Sequence, residues 1–353
     1  MRKRYFSEKV AEWYEGHRRD LPWRKSNDPY RIWLSEIILQ QTRVSQGLPY
    51  YLKFIEAFPT VNHLAAAPEQ KVLRLWQGLG YYTRARNLHA CAKEVVKSHE
   101  GIFPPTFEAL KKLPRIGDYT AAAIASIAFK EPVAVVDGNV FRVLARIFGI
   151  DKAINSPEGK KYFTTLANEL IDESHPDIHN QAVMEFGALH CVPKNPACGV
   201  CIFQSTCFAF QNQLQGTLPY KIAGKAARSR YFHYFVFRKG RSILMQKREQ
   251  KDIWNGLYDF YLVEKNKQFQ PRKLIEQDEL LSNLDIDLKA LETSTVYKHV
   301  LTHQVIQATF TQIVTPNDQM LKTDSLKFFT LKQVADLPKP VLISRFLADE
   351  QLL

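Results

Sequence analysis

The chain has 353 residues, 45% of them hydrophobic, and its 48 lysines and arginines against 36 aspartates and glutamates give a net charge of +12. This length favours two domains, and the charge predicts a polyanionic partner, most simply nucleic acid. No apolar run reaches the roughly 18 to 20 residues of a membrane span, and no hydrophobic segment follows the basic N-terminus. We therefore expect a cytoplasmic protein without a secretion signal or a membrane partner.

Composition divides the chain into three parts. Residues 1–213 have apolar residues at helical spacing nearly throughout, residues 214–230 form a basic linker with several glycines and prolines, and residues 231–353 contain strand-like runs. These patterns predict a mostly α N-terminal region and an α+β C-terminal domain. Strands are expected at residues 231–237, 242–246 and 304–314, and the first two should form a hairpin.

The first clear helix begins at Asp28, an N-cap residue that precedes a proline at the first helical position. One apolar stripe follows it, formed by Tyr30, Trp33, Leu34, Ile37, Ile38 and Val44. Glu36 lies beside this stripe. A glutamate inside a helix is usually a solvated surface residue, so the spacing alone assigns it no function.

Residues 110–129 predict a helix, a tight turn and a second helix rich in alanine. The turn is Leu-Pro-Arg-Ile-Gly at 113–117, in which Gly117 supplies conformational freedom. The backbone amides that follow, at the start of the second helix, form a site that can bind phosphate. The same turn also joins ordinary pairs of helices. Further on, Asp137 follows an apolar run and precedes a helix at 140–148, where an aspartate is a common N-cap.

Four of the five cysteines lie in one short segment with the spacing C-x6-C-x2-C-x5-C; they are Cys191, Cys198, Cys201 and Cys207. Four thiolates suit either a [4Fe-4S] cluster or zinc. Structural zinc more often uses two short C-x2-C pairs, and only one pair is that short here, which favours iron and sulfur. A group of buried free thiols is the remaining alternative.

Several motifs occur together and in order along the chain. They are LPWR at 21–24, LSEIILQQTRV at 34–44, GLGYY at 78–82, the turn at 113–117, VDGNV at 136–140 and the cysteine pattern. This set, which covers about residues 20–210, resembles the MutY-type adenine DNA glycosylases. The resemblance implies a helix-hairpin-helix core with one [4Fe-4S] cluster, a bacterial-type protein at the nucleoid, and an adenine turned out of the duplex into a pocket between two helical lobes.

The resemblance implies roles for four residues of that pocket. Glu36 matches the general acid and base, Asp137 matches the carboxylate that stabilises the sugar cation, and Tyr119 and Asn139 match residues that shape the pocket. Desolvation should raise the pKa of Glu36, whereas Asp137 should stay ionised at a helix start. Tyr119 stands where bifunctional relatives carry a Schiff-base lysine, which favours a monofunctional enzyme because a phenol forms no imine.

The family's DNA contacts match Arg24, Gln41, Tyr81, Arg115, Gly117, Gln181 and Lys194. Gln41 and Tyr81 correspond to residues that wedge into the base stack, and Lys194 to a loop that contacts phosphate. Gln181 departs from the glutamate that family members often have. The implied partner is double-stranded DNA with adenine opposite 8-oxoguanine or, more weakly, guanine. We expect a monomer; a sliding-clamp contact is not readable in the sequence.

Residues 231–353 resemble the Nudix-like domain with which this family inspects the opposite base. The family's Phe-Ser-His loop matches Leu301, Thr302 and His303, in which the hydroxyl and the imidazole are kept and the aromatic wedge is lost. An ordinary strand edge is the alternative for so short a match. No glutamate-rich Nudix hydrolase motif is present, so we expect no pyrophosphatase activity.

Three other functions stay open from the sequence. A bifunctional pyrimidine-lesion glycosylase of the endonuclease III type shares the hairpin and the cluster, but Tyr119 and Glu36 argue against it. A DNA-binding module that senses redox state would leave Glu36 and Asp137 without a role. A DNA binder stabilised by zinc predicts a colourless protein, whereas an iron–sulfur protein is brown.

Overall fold

The computed structural model describes residues 3–224, 226–250, 252–314 and 325–353. Lys225 of the predicted basic linker lies outside these ranges. The chain divides into two compact units, Met1–Ala66 with Asn87–Ala223 and Ala67–Arg86 with Gly224–Leu353. Within the described ranges, no helix has both the length and the apolar character needed to span a membrane. The expected combination of a mostly α region and an α+β domain is confirmed.

The helical part of the chain precedes the sheet. Its helices are α1 (Lys3–His17), α2 (Pro29–Leu39), α3 (Val44–Ala57), α4 (Val61–Ala66), α5 (Glu69–Trp76), α6 (Thr83–His99), α7 (Phe107–Leu110), α8 (Asp118–Phe129), α9 (Gly138–Phe148), α10 (Pro157–Leu170), α11 (Pro176–Leu189) and α12 (Phe208–Gln211). Short 3-10 turns lie at Pro22–Arg24 and Cys198–Val200. Helix α5 and the start of α6 belong to the second unit.

Helix α2 begins where the sequence predicts, because the Asp28 carboxylate accepts a hydrogen bond from the backbone nitrogen of Tyr30 at 2.9 Å. The helix ends at Leu39, so the prediction that Val44 continues its stripe is wrong: Val44 begins α3. Gln41 lies between the two helices with a φ of 56°. A residue in this left-handed conformation cannot continue a right-handed helix, which explains the break.

The turn between α7 and α8 differs from its prediction in one respect. Arg115, with a φ of 68°, is its left-handed residue, whereas Gly117 has an extended backbone at the N-cap of α8. The tight turn therefore does not depend on the conformational freedom of glycine. A Cβ atom on Gly117 would meet nothing within 4 Å, so this glycine leaves open space beside the first amides of α8.

The core of the first unit is built by α1, α9, α10 and α11. Four of its phenylalanines have no solvent exposure, namely Phe6, Phe163, Phe186 and Phe203. Burying a side chain of this size contributes about 1.5 to 3 kcal/mol. Helix α8 consists mostly of small buried residues, and it packs against α2 and α11. This packing fixes the helix ends from which the site is built.

The second unit is built on a sheet. In its described residues the strands are β1 (Arg228–Lys239), β2 (Ser242–Lys247), β3 (Tyr258–Asp259), β4 (Tyr261–Lys265), β5 (Glu292–Thr293), β6 (Tyr297–Val300), β7 (Gln304–Val314) and β8 (Leu326–Thr330). Their order is β3-β2-β1-β7-β5, with β4 on β1, β6 on β7 and β8 on β2. Helices α13 (Pro271–Gln277), α14 (Leu331–Asp336) and α15 (Val341–Asp349) complete the unit.

Two strand predictions are confirmed. Lys239 pairs with Ser242 across a tight antiparallel turn, which is the predicted hairpin, and β7 has the predicted bounds. Strand β7 is parallel to β1, and the other described pairings are antiparallel, so the sheet is mixed.

Helix α9 ends at a position that requires glycine. Gly149 has a φ of 68°, and a Cβ atom there would lie 2.4 Å from the ring of Phe208. We expect Gly149→Ala to lower the free energy of unfolding by about 2 to 3 kcal/mol, because backbone strain and overlap add. Gly216→Ala, whose Cβ would meet nothing within 4 Å, is the control. Urea unfolding measures both, and equal stabilities of the two variants would contradict this account.

Candidate active site

The first unit contains a cavity of about 850 Å³ beside α2, α8, α9 and α11. Six of the residues predicted from the sequence line it, namely Arg24, Glu36, Tyr119, Asp137, Asn139 and Gln181. They come from distant parts of the chain, and the fold brings them to one place. Loop residue Lys194 is exposed and is not among the lining residues.

Glu36 is the acidic residue that α2 presents to this cavity. Glu36 is only 9% exposed, and its Oε2 accepts a short hydrogen bond from the Tyr119 hydroxyl. Burial raises the pKa of Glu36 to about 7; the Tyr119 hydrogen bond and the charge of Arg24 oppose this rise, while the charge of Asp137 adds to it. The group can therefore hold a proton near neutral pH, as desolvation predicts.

Asp137 is held by three hydrogen bonds at the N-terminus of α9. Its Oδ1 accepts from the backbone nitrogens of Asn139 at 2.9 Å and Val140 at 2.8 Å, and its Oδ2 accepts from Asn139 Nδ2 at 2.7 Å. Burial raises the pKa of Asp137, and these hydrogen bonds oppose that rise. Asp137 is thus a helix cap and a cavity carboxylate at once, so the two interpretations of this aspartate do not exclude each other.

The double role of Asp137 can be separated by substitution. Asparagine caps a helix about as well as aspartate, whereas alanine costs about 1 kcal/mol. We expect Asp137→Asn to unfold close to the wild-type midpoint and Asp137→Ala to lose about 1 kcal/mol of stability. Denaturant unfolding measures both variants. An Asn variant that is as unstable as the Ala variant would show that capping is not the structural role of this side chain.

Arg142 was not found from the sequence, although it links the cavity to the cysteine segment. Its Nη2 donates to Asn139 Oδ1 at 2.8 Å and to the Gly187 carbonyl at 2.7 Å, and its Nε donates to the Cys191 carbonyl at 2.7 Å. Through Asn139 the guanidinium is connected to Asp137. Its position one turn into α9 was the available signal, but many arginines in helices are simply solvated.

Glu185 is a second residue that the sequence did not indicate. It lies on α11, lines the cavity, and forms salt bridges with Arg19 and Arg24. Gln181, one turn earlier on α11, accepts from the Tyr14 hydroxyl at 3.3 Å and donates to the Asp177 carbonyl at 3.2 Å. The partners of Glu185 are more than 160 residues away in sequence, so no local pattern could have identified them.

All five cysteines are free thiols. Burial raises the pKa of Cys198, and the nearby charge of Cys191 adds to the rise, so these thiols lie close enough to interact. Among the described residues, no group of three or more His, Cys, Asp or Glu side chains is arranged to hold a single metal ion. Four thiols in one segment are the donor set that an iron–sulfur cluster requires. The sulfur of Cys201 also accepts a hydrogen bond from the backbone nitrogen of Phe203 at 3.4 Å.

Arg146 ties the cysteine segment to α9. Arg146 is 2% exposed, and its guanidinium donates to the carbonyls of Val192 at 2.7 Å and Gln215 at 2.6 Å. Its Nη1 also lies 3.5 Å from the sulfur of Cys191. A buried cation with these partners holds the cysteine segment against α9.

Two predicted DNA-contacting residues meet within the second unit. The hydroxyls of Tyr81 and Thr302 form a short hydrogen bond. Tyr81 has a φ of 49° and is 43% exposed, and Arg84 lies 5.8 Å from the centre of its ring. Thr302 belongs to the turn between β6 and β7, in which the Leu301 nitrogen donates to the Gln304 carbonyl at 2.8 Å. The segment 301–303 is therefore a hairpin turn and not part of a strand.

Comparison with protein families gives two matches. A model described as the HhH-GPD superfamily of base excision DNA repair proteins matches residues 34–170, and a NUDIX domain model matches residues 233–349. Among solved structures, a thermostable thymine-DNA glycosylase superposes with a TM-score of 0.56 and 29% identity, over 60% of this chain and 97% of its own. Endonuclease III in a trapped covalent DNA intermediate has a TM-score of 0.53 and 21% identity, which shows a shared fold.

Comparison with curated proteins narrows the family. The adenine DNA glycosylase of Buchnera aphidicola subsp. Baizongia pistaciae is 36% identical over 307 residues, which cover 84% of this chain and 83% of that protein. The adenine DNA glycosylase of Rattus norvegicus is 43% identical over 222 residues, which cover 60% of this chain and 43% of that protein. The resemblance inferred from the motifs is confirmed, and the chain belongs to the MutY-type family of adenine DNA glycosylases, which are hydrolases of base excision repair.

Proposed function

We propose that this protein removes adenine opposite 8-oxoguanine, and more weakly opposite guanine, from double-stranded DNA by hydrolysis of the N-glycosidic bond. The observation that carries the proposal is the pair of carboxylates in one cavity, where burial raises the pKa of Glu36 to about 7 beside the hydrogen-bonded Asp137. Two carboxyl groups in different environments are what acid and base chemistry at neutral pH requires.

In the proposed reaction, protonated Glu36 donates its proton to N7 of the extruded adenine. The bond between the sugar and the base then breaks, and the electron pair leaves with the adenine. The sugar becomes an oxocarbenium-like cation, whose positive charge the Asp137 carboxylate stabilises. Glu36, now ionised, takes a proton from the water that completes hydrolysis.

Tyr119 supports a monofunctional reaction. Its hydroxyl donates to Glu36, and a phenol has no amine with which to form an imine to the sugar. We therefore propose that the enzyme leaves an abasic site and does not cleave the strand by β-elimination. Asn139, which donates to Asp137 and accepts from Arg142, would keep the second carboxylate oriented.

The exposure of Gln41, Arg115 and Gly117 supports their proposed contact with DNA. Gln41 is exposed in the left-handed turn after α2, and Arg115 is exposed in the turn before α8. Gly117 leaves the first amides of α8 open for a phosphate. We propose that Gln41 wedges into the base stack, that Lys194 contacts phosphate, and that the protein binds DNA as a monomer.

Within the second unit, the arrangement of Tyr81 supports a role in reading the opposite base. Its ring is exposed while its hydroxyl is bonded to Thr302. We propose that Tyr81 stacks in the duplex while Thr302 and its neighbours Leu301 and His303 contact the oxidised guanine. Leucine in place of an aromatic residue weakens the wedge that this loop supplies, because an aliphatic side chain stacks less well on a base.

We further propose that the cysteines at 191, 198, 201 and 207 hold one [4Fe-4S] cluster. When bound, such a cluster supplies a rigid centre to which the segment is fixed. The buried Arg146 and the carbonyl contact of Arg142 would hold this segment against α9, and with it Lys194. This structural role requires no redox change during adenine release.

The test of the proposed function is single-turnover adenine release from duplexes that pair adenine with 8-oxoguanine, guanine or thymine. We expect release fastest opposite 8-oxoguanine, slower opposite guanine and little opposite thymine. Glu36→Gln should lower the rate at least about 100-fold, because it removes the transferable proton. Glu158→Gln, at an exposed residue of α10, is the charge-matched control. If the intact protein with its cluster releases no adenine, the proposal fails and pyrimidine lesions become the substrates to test.

The pH dependence of release follows from the raised pKa of Glu36. The protonated form is present below about pH 7 and is lost as the pH rises through that value, so the single-turnover rate should fall on the alkaline side. Tyr119→Phe removes a hydrogen bond that lowers the pKa of Glu36, so the fall should move to higher pH. A rate that is constant from pH 6 to pH 9 in the wild type would contradict the assignment of Glu36 as the acid.

A further inference from the structure

A third carboxylate in the cavity has no role in the reaction proposed above. Glu185 has a side chain that is 1% exposed. Its Oε1 accepts from the backbone nitrogen and Nε of Arg19 at 3.0 and 2.8 Å and from Nη1 of Arg24 at 2.9 Å. Its Oε2 accepts from Nη2 of Arg19 at 2.5 Å and from Nη2 of Arg24 at 2.8 Å. One buried carboxylate thus fixes two guanidinium groups.

These contacts keep Glu185 ionised. Burial alone would raise the pKa of this carboxyl group, but the hydrogen bonds from Arg19 and Arg24 outweigh burial and lower it to about 2. Two cations and one anion therefore stand together throughout the neutral range. The side chain of Arg24 is 15% exposed and that of Arg19 is 35% exposed, so solvent screens Arg24 less.

Arg24 is the member of this group that acts on Glu36, because its charge opposes the burial that raises the pKa of Glu36. The remaining charged or titratable groups that line the cavity are Arg19, Arg43 before α3, Tyr119 on α8, Asp137 and Arg142 at α9, and Glu185 on α11. Glu185 is thus the counter-charge of Arg24, the cation that lowers the pKa of Glu36.

We propose that Glu185 is a positioning residue for adenine excision, whose carboxylate holds Arg24 in the cavity wall and balances its positive charge opposite Glu36. This inference rests on the reaction proposed above. Arg24 also donates to the Arg19 carbonyl at 3.2 Å and lies 5.6 Å from the ring centre of Tyr14, so its guanidinium has one defined place while Glu185 is ionised. Without the counter-charge, the positive charge of Arg24 lowers the pKa of Glu36 further. Less of the protonated Glu36 that the leaving base needs is then present at neutral pH.

The test measures the pH profile of single-turnover release opposite 8-oxoguanine with the cluster-loaded full chain. Glu185→Gln keeps the shape and removes the charge, so its alkaline limb should move to lower pH by about 0.5 to 1 unit. Glu185→Asp keeps the charge and shortens the side chain. It should release adenine more slowly than the wild type while its alkaline limb stays in place. A purely structural role of Glu185 would change rate or stability in both variants and shift neither limb.

Two further variants complete the design. Arg24→Gln removes the cation, so its alkaline limb should move to higher pH. An unmoved limb would exclude the cation through which Glu185 acts, and so overturn the inference whether or not Glu185→Gln folds. Glu158→Gln, which loses the same charge at a salt bridge with Lys152 outside the cavity, should keep the wild-type profile. Unmoved limbs in the folded Glu185→Gln or Arg24→Gln variants would overturn the inference. Wild-type protein that releases no adenine would instead overturn the reaction on which it rests.

Discussion

The removal of carboxylates from water is the physical constraint on which the first unit depends. Burial favours the neutral form of every carboxyl group, and the hydrogen bonds and charges around each group decide whether its pKa rises or falls. Glu36 accepts a hydrogen bond from Tyr119 and reaches a pKa of about 7, and burial also raises the pKa of Asp137, although three donors at a helix start oppose that rise. Glu185 has two guanidinium groups and a pKa of about 2. Three carboxyl groups that line one cavity therefore differ in their pKa because their hydrogen-bond partners and neighbouring charges differ.

Helix α9, which Asp137 caps, is held by apolar packing on one side and by arginine contacts on the other. Helix α9 contributes to the phenylalanine core and also carries Arg142 and Arg146, whose guanidinium groups bind carbonyls of the cysteine segment. The orientation of Asp137 is thereby connected to a segment that follows it by more than fifty residues. Hydrogen bonds through Arg142 and Asn139 join that segment to the cap of α9.

Local signals in the sequence predicted local structure well. The cap at Asp28, the hairpin between β1 and β2, and the bounds of β7 each depend on residues close to one another in the chain, and all three are confirmed. The end of α2 was predicted wrongly because apolar spacing continues through Gln41, where the backbone turns left-handed. The candidate catalytic residues came from motif resemblance, since an isolated glutamate or aspartate has simpler structural explanations.

Long-range contacts between charged residues could not be predicted from the sequence. Glu185 resembles any acidic residue of a helix until its arginine partners, more than 160 residues away, are seen beside it. The link that Arg142 makes to the cysteine segment is likewise recognised only from its hydrogen bond to the Cys191 carbonyl. Tyr81 and Thr302 were each identified by their own motif, but their contact spans 221 residues and no pattern joined them.

Contacts within the chain group segments that lie far apart in the sequence. The backbone passes between the two units three times, after Ala66, after Arg86 and after Ala223, so α5 belongs with the sheet that follows it much later in sequence. A Cβ atom on Gly256 would lie 3.3 Å from Leu73 of this helix. A chimera joined within residues 214–230 would therefore exchange the sheet without exchanging α5, so Leu73 would face residues other than those it packs beside in this chain.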